Sequence, residues 1–367
     1  MDPLISNISN DEEQFKFTLS GLNVSLANAI RRTILSDIPT LAFYTETYKD
    51  NQCNIKVNTT RLHNEILKHR LSCIPIHMTE LDILPNNYVL DLDVENDTDS
   101  MRIITTKDFK IRNKTTNNYL TENETNKIFP SNIRTNMHLD FARLRPKIGN
   151  TIPGEKLNLT AEFSVRTAKD NSMFNVVSIC SYGNTIDIVK AKEVWEEHEN
   201  KIKADGLTSA ELDIQKRNFY LLDAHRYFIN NSFDFAIKSV GVYENNKIVK
   251  IACESLHKKF VDLINSIDSG IIMVKLSETT MDYCFDIVLE NEDYTIGKVL
   301  EYILYENLFI GQKKLSFCGF KKFHPHDEDS IIRLAYEKVT DKQIALQDLR
   351  EISVIAADIF SRIYKLF

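Results

Sequence analysis

The chain has 367 residues, more than a single hydrophobic core usually organises, so two or three domains are expected. With 43% hydrophobic and 26% charged residues, disorder over the whole length is excluded. The net charge of −7 argues against a protein that grips nucleic acid over a broad surface, because phosphate neutralisation needs clustered Lys and Arg. No run of about 18 apolar residues offers a membrane span, and residues 1–10 have neither the basic start nor the apolar stretch of a signal peptide. Cys53, Cys73, Cys180, Cys253, Cys284 and Cys318 are widely spaced without a CxxC pair, so reduced, buried thiols are expected.

Residues 13–20 alternate apolar and polar, which predicts a half-buried strand. Gly21-Leu22-Asn23 breaks the pattern. A helix then runs to about Ser36 with Leu22, Leu26, Ala29, Ile30, Thr33 and Ile34 on one face, and Asp37-Ile38-Pro39 ends it. From 42 to 235, short alternating runs (88–94, 102–106, 156–166 and 173–180) are separated by polar connections such as 112–127. They read as a mainly β domain with long loops, closed by a polar helical stretch over roughly 190–226. Residues 233–243 alternate again. A second amphipathic helix follows, with Cys253, Leu256, Phe260, Leu263, Ile264 and Ile267 on one face and a stop at Ser269-Gly270.

A new unit begins near Ile271. Strands over 271–276 and 283–289 lead into a helix with Ile296, Val299, Leu300, Ile303 and Leu304 inward. Two more strands, 315–320 and 331–336, flank a His/Pro/Asp loop. The last 25 or so residues form one helix whose stripe is Ala345, Leu349, Ile352, Ile355, Ile359, Ile363 and Leu366. That stripe exceeds what one small sheet covers, so a second helix is expected against it. The two ends of the chain are thus alike in kind: α+β units of strands, a short helix and a longer striped helix.

Leu26-Ala27-Asn28-Ala29-Ile30-Arg31-Arg32-Thr33-Ile34-Leu35-Ser36-Asp37-Ile38-Pro39-Thr40 resembles the first helix of the α-like RNA polymerase subunits: bacterial α, archaeal D and the third-largest subunit of polymerase II. Asn58-Thr59-Thr60-Arg61-Leu62-His63-Asn64-Glu65 and on through His69-Arg70-Leu71 to Ile74-Pro75-Ile76 is similar to that family's next block. Gly154-Glu155-Lys156-Leu157-Asn158-Leu159, the Arg166–Phe174 loop and the 235–241 strand continue the resemblance. Glu292-Asp293-Tyr294-Thr295-Ile296-Gly297-Lys298 and Phe317-Cys318-Gly319-Phe320 through His324-Pro325 resemble instead the small α-like subunit, archaeal L and the eleventh subunit of polymerase II. Lys298 stands where that subunit usually has Asn. Fusion of the two types in one chain resembles what large cytoplasmic DNA viruses encode, and the Asn/Lys/Ile-rich composition fits such a source.

The resemblance implies an α+β fold: the RNA polymerase α-like dimerisation fold in two copies, with a mainly β insert domain in the first copy. The first module would comprise 1–41 and 231–270, the insert 42–230, and the second, small module 271–367. A shared helical core is expected from Leu26, Ile30, Ile34, Phe260, Ile264, Ile296, Val299, Leu300, Ile303, Ile355 and Ile359. Linking both modules in one chain holds them at an effective concentration of about millimolar or more.

The implied role is a non-catalytic assembly platform for the two largest, catalytic subunits, with DNA met only through the complex and no homo-oligomer needed. Arg31 and Arg32 cannot both face inward and are contact candidates, since Arg suits bidentate pairing with carboxylates; a solvated helix face is the other reading. Asn58, Thr59, Thr60, His69 and Arg70 are further candidates. Arg166, Lys169 and Phe174 are assigned to the other large subunit or to a small zinc-binding polymerase subunit. The implied setting is intracellular: host cytoplasm and virion for a viral source, the nucleus for a cellular eukaryotic one.

Other chemistries find little footing. No Asp-x-Asp-x-Asp cluster for two-metal nucleotidyl transfer occurs, nor a Walker-type or GxSxG motif. His324 and His326 could chelate a metal and found a hydrolase, but no Cys or carboxylate cluster complements them. The third-largest subunits often carry a cysteine-rich zinc element, and the matching stretch, 81–89, has no cysteine. No zinc and no cofactor are expected. An α-like scaffold unrelated to transcription is the remaining alternative.

Overall fold

Alternation at the N-terminus builds a sheet in the computed structural model, which describes residues 1–11, 14–149, 151–204 and 209–367. Strand β2 (Gln14–Ser20) is flanked by β1 (Leu4–Asp11) and β12 (Phe228–Ser239), and β11 (Val177–Ile186) completes the order β1-β2-β12-β11. Inward positions of β2 meet their register partners on β12: Phe17 stacks on Phe235 at 5.0 Å. Gly21 then turns the chain at φ +78, where a Cβ would sit 2.1 Å from the carbonyl oxygen of Asp2. Asn23 accepts a hydrogen bond from the Ser25 N–H at 2.9 Å and starts α1 (Val24–Ser36). Leu26, Ile30 and Ile34 on α1 are fully buried.

After β12, α6 (Asn245–Asp268) ends at Gly270, φ +71. The second sheet has the order β13-β14-β16-β15 from β13 (Val274–Leu276), β14 (Cys284–Leu289), β15 (Leu315–Lys321) and β16 (Ser330–Tyr336). Helix α7 (Tyr294–Leu304) buries Ile296, Val299, Leu300 and Ile303, then runs into a π-helical turn, Tyr305–Gly311. Helix α8 (Lys342–Tyr364) is capped by Asp341, which accepts from the Ile344 N–H at 2.9 Å.

The most extensive helix packing is α6 against α8. Phe260 and Phe360 are stacked at 5.8 Å, His257 Nδ1 lies 3.0 Å from the Ala357 carbonyl, and Arg350 pairs with Asp268 at 2.7 Å. Near the start of α6, the Lys250 ammonium lies 5.8 Å from the centre of the Tyr364 ring. The contacts Lys250–Tyr364, His257–Ala357 and Asp268–Arg350 rise along α6 while they fall along α8, so the pair is antiparallel. Phe367 extends the contact to the first sheet, its ring centre 4.9 Å from that of Phe17 in an edge-to-face arrangement. These elements, with 179–238, form one compact unit.

Residues 35–178 and 239–244 form the other. Its sheet has the order β4-β9-β5-β7: β4 (Cys53–Asn58), β9 (Lys156–Glu162), β5 (Tyr88–Glu95) and β7 (Lys110–Asn113). Two small ladders join β3 (Thr40–Ala42) to β10 (Ser164–Arg166) and β6 (Arg102–Thr105) to β8 (Asp140–Leu144). Helices α2 (Asn64–Ser72) and α3 (Glu122–Ile128) complete it. Alternate residues Leu90, Leu92, Leu157 and Leu159 point into one core with Phe43, Phe141 and Phe163.

Several expectations need correction. The 112–127 connection contains a helix, α3, fixed by a Thr121/Glu124 capping box rather than by an apolar stripe. Residues 172–174 form a 3-10 turn, and the strand starts only at Val177. Residues 179–204 and 209–230 belong with the first sheet, because β11 is its edge strand and α4 (Ile188–Ala204) and α5 (Ser209–Leu221) close around Trp195 and Phe219 beside it. Ile355 is 38% exposed and Ile264 only half-buried; the face of α8 turned inward carries Ile352, Ala356, Ile359, Phe360 and Ile363. Leu366 is likewise exposed.

All six cysteines are free thiols, but Cys73 on the surface departs from the expectation of burial. Burial pushes the Cys53 thiol up to about 11, and those of Cys180, Cys253 and Cys318 up to about 12. A thiol reagent on the native chain should therefore modify about one cysteine rapidly. Cys73→Ser should remove that fast phase, as followed by absorbance of the released thiolate.

Candidate interaction surfaces

The two arginines of α1 have separate duties. Arg31 donates from Nε and Nη2 to Asn28 Oδ1, at 3.0 and 2.9 Å, and stays on its own helix. Arg32 reaches the start of α7, donating from Nη2 to Asp293 Oδ2 at 2.7 Å and from Nε to Thr295 Oγ1 at 2.9 Å. Asp293 is also the N-cap of α7, accepting from the Thr295 N–H at 2.8 Å. The Arg32 charge is thus spent between the two sheets' helices rather than offered outward.

Burial pushes the Asp293 carboxyl up, but the Thr295 hydrogen bonds and the Arg32 guanidinium outweigh it and hold the group below its ordinary 3.8. A lowered folded pKa means stability that is complete above 3.8 and lost as pH falls through the folded value. Asp293→Asn keeps a capping side chain and removes the charge. It should cost about 1–2 kcal/mol at neutral pH, after discounting for solvent screening of a half-exposed pair. The difference from the parent chain should shrink in acid, as read from urea midpoints at two pH values.

Asn58, Thr59 and Thr60 organise the entry to α2. Asn58 Oδ1 accepts from the Thr60 N–H and Oγ1, at 2.9 and 2.7 Å, and Nδ2 donates to the Leu62 carbonyl at 2.8 Å. Thr59 exchanges bonds with the Lys156 backbone on β9, its N–H donating at 3.0 Å and its Oγ1 accepting at 2.7 Å. His69 and Arg70 lie on the exposed side of α2. Arg70 donates to the carbonyls of Phe141 and Asp140, at 2.7 and 2.9 Å, and so ties α2 to β8.

That tie creates a feature the sequence conceals. Arg61, Arg70, Arg143 and Arg145 share a groove of about 530 Å³ floored by Leu62, Phe141 and Ala142, with Met101 at its edge. Arg61 and Arg70 are far in sequence from Arg143 and Arg145, and only the docking of β8 on α2 gathers the two pairs.

Of the candidates on the 166–174 loop, Arg166 lays its guanidinium 3.9 Å from the centre of the Tyr44 ring. Lys169 is exposed, and its N–H donates to the Ser36 carbonyl at 2.8 Å. Phe174 is fully buried with Ala42, 6.4 Å from the Tyr44 ring, so it anchors the loop from inside and is not a surface contact.

His324 and His326 sit in a turn that bonds to itself: the His326 N–H donates to His324 Nδ1 at 3.2 Å, and the His324 N–H to Asp327 Oδ2 at 3.0 Å. Among the described residues no group of three or more His, Cys, Asp or Glu is arranged to hold a metal. No helix among them is long and apolar enough to cross a membrane.

A family model described as the RNA polymerase Rpb3/Rpb11 dimerisation domain matches residues 16–260, from β2 into α6. The DNA-directed RNA polymerase subunit Rpo3 of Pyrococcus furiosus is 25% identical over 272 residues, 69% of this chain and 92% of that protein. Rpo3 of Methanosphaera stadtmanae is 24% identical over 288 residues, 70% of this chain and 96% of the relative. A shorter stretch, 67 residues, is 37% identical to subunit RPAC1 of DNA-directed RNA polymerases I and III from Homo sapiens, 18% of this chain and 17% of that one.

Proposed function

Because the chain belongs to the RNA polymerase Rpb3/Rpb11 dimerisation domain family, we propose that it is a non-catalytic subunit of a DNA-directed RNA polymerase that carries both α-like partners in one polypeptide. The observation that carries the reading is the antiparallel packing of α6 on α8. It joins the matched region to a second sheet-and-helix module, 271–367, that lies beyond the match. The two modules act as an intramolecular pseudo-dimer and need no second copy. Covalent linkage replaces the association step, with an effective concentration of about millimolar.

In this role the chain is an assembly platform for the two largest, catalytic subunits and for small zinc-binding polymerase subunits, and DNA is met only through the complex. Exposed His69 and Lys169 and the arginines of the insert supply the contacts. The single-chain arrangement resembles fusions of large cytoplasmic DNA viruses, which would place it in host cytoplasm and virion; a cellular eukaryotic source would place it in the nucleus. Purification of the tagged chain from its native source should recover both large polymerase subunits. Recovery of the chain without them would overturn the proposal.

A further inference from the structure

We infer that the arginine-lined groove of the β-rich insert is a docking site for an acidic segment of a partner polymerase subunit, anchored by one apolar side chain. The inference rests on the polymerase reading and adds the chemistry of one contact.

Four guanidinium groups line the groove against two carboxylates, Asp140 and Glu155. Arg145 is paired with Glu155, whose carboxylate is nearly buried, and Arg143 lies 3.6 Å from Asp140. Arg70 donates to backbone carbonyls and has no ion pair among the described residues. Arg61 is exposed and has no hydrogen bond or ion pair among the described residues. The groove therefore carries a local positive excess on a chain of net charge −7, with planar donors suited to carboxylates.

Met101, 59% exposed at the edge, and the Leu62–Phe141–Ala142 floor offer a place for an apolar side chain. A nucleic-acid backbone fits less well. It brings no apolar side chain for Met101 and the Leu62–Phe141–Ala142 floor.

The test uses the full chain with a photo-crosslinking residue at Met101, in the native complex. Crosslinks to an acidic segment of a polymerase subunit are expected. Arg61→Glu combined with Arg143→Glu should reduce that crosslink about tenfold, while far-ultraviolet circular dichroism stays unchanged. A crosslink to nucleic acid alone, or to a segment without acidic residues, overturns the docking site. So does an undiminished crosslink in the folded charge-reversed variant. Large subunits that co-purify without any crosslink overturn the groove and leave the polymerase reading standing. Loss of the large subunits from the parent chain overturns both.

Discussion

Phe360→Ala should lower the unfolding free energy by about 3–5 kcal/mol, the range for removing a fully buried ring. Phe360 is completely buried on α8 and stacks on Phe260 of α6 at 5.8 Å with the planes 12° apart. Truncation removes apolar area from the core and leaves a ring-sized cavity. The helices can close it only by breaking their register at Arg350–Asp268 and at His257–Ala357. Trp195 is the only tryptophan and is buried in the same compact unit, so its fluorescence in urea reports the loss. Phe260→Ala should cost as much, and the double variant less than the sum, because an aromatic pair is coupled by about 0.5–1.5 kcal/mol beyond area. Strict additivity would mean that the two rings stabilise their own modules separately.

Gly297→Val should be nearly as damaging, at about 3 kcal/mol, the upper end of overpacking costs. Gly297 lies on α7 where the helix passes over β15, and a Cβ there would fall 2.0 Å from a ring carbon of Phe320. The ring cannot simply swing aside, since Tyr294 meets it edge-on at 5.2 Å. Helix propensity alone would favour replacing this glycine, by about 1 kcal/mol for alanine, so a measured destabilisation isolates the steric term. Thermal unfolding provides the readout. Phe320→Leu added to the Gly297→Val variant should recover part of the loss by vacating the ring's outer atoms.

The Gly297 contact also shows why two motifs of the second module are coupled. Gly297 belongs to the segment 292–300 and Phe320 to 317–326, and each is the other's spatial limit. Nothing in the composition of either stretch states that; only the packing of α7 on β15 does. Periodicity is enough to locate β2, α1, α6, α7 and α8 as elements, where apolar residues recur at the interval each requires, though not to fix every inward residue.

It fails where burial is one-sided or slight. Strand β1 holds its place by backbone pairing with β2 while Leu4 and Ile8 remain exposed, so no alternating apolar face marks it. Helix α3 is seven residues long and depends on its cap. Ile355 satisfies a three-residue step from Ile352 yet falls on the rim of α8, because Ala356 takes the next inward position. Surface residues are the least legible in sequence. Arg32 was open to outward pairing by sequence and is instead joined to Asp293, a partner more than 250 positions away whose approach depends on how the modules meet. Arg70 alone is legible as a contact candidate; its grouping with Arg61, Arg143 and Arg145 is not, for the same reason.

The most direct test of the central claim is the stoichiometry of the native polymerase, measured by native mass spectrometry of complexes isolated through this chain. One copy of the chain per complex is expected, together with both large subunits and no separate small α-like subunit. Two copies per complex, or one copy accompanied by a separate small α-like chain, would contradict the intramolecular pseudo-dimer.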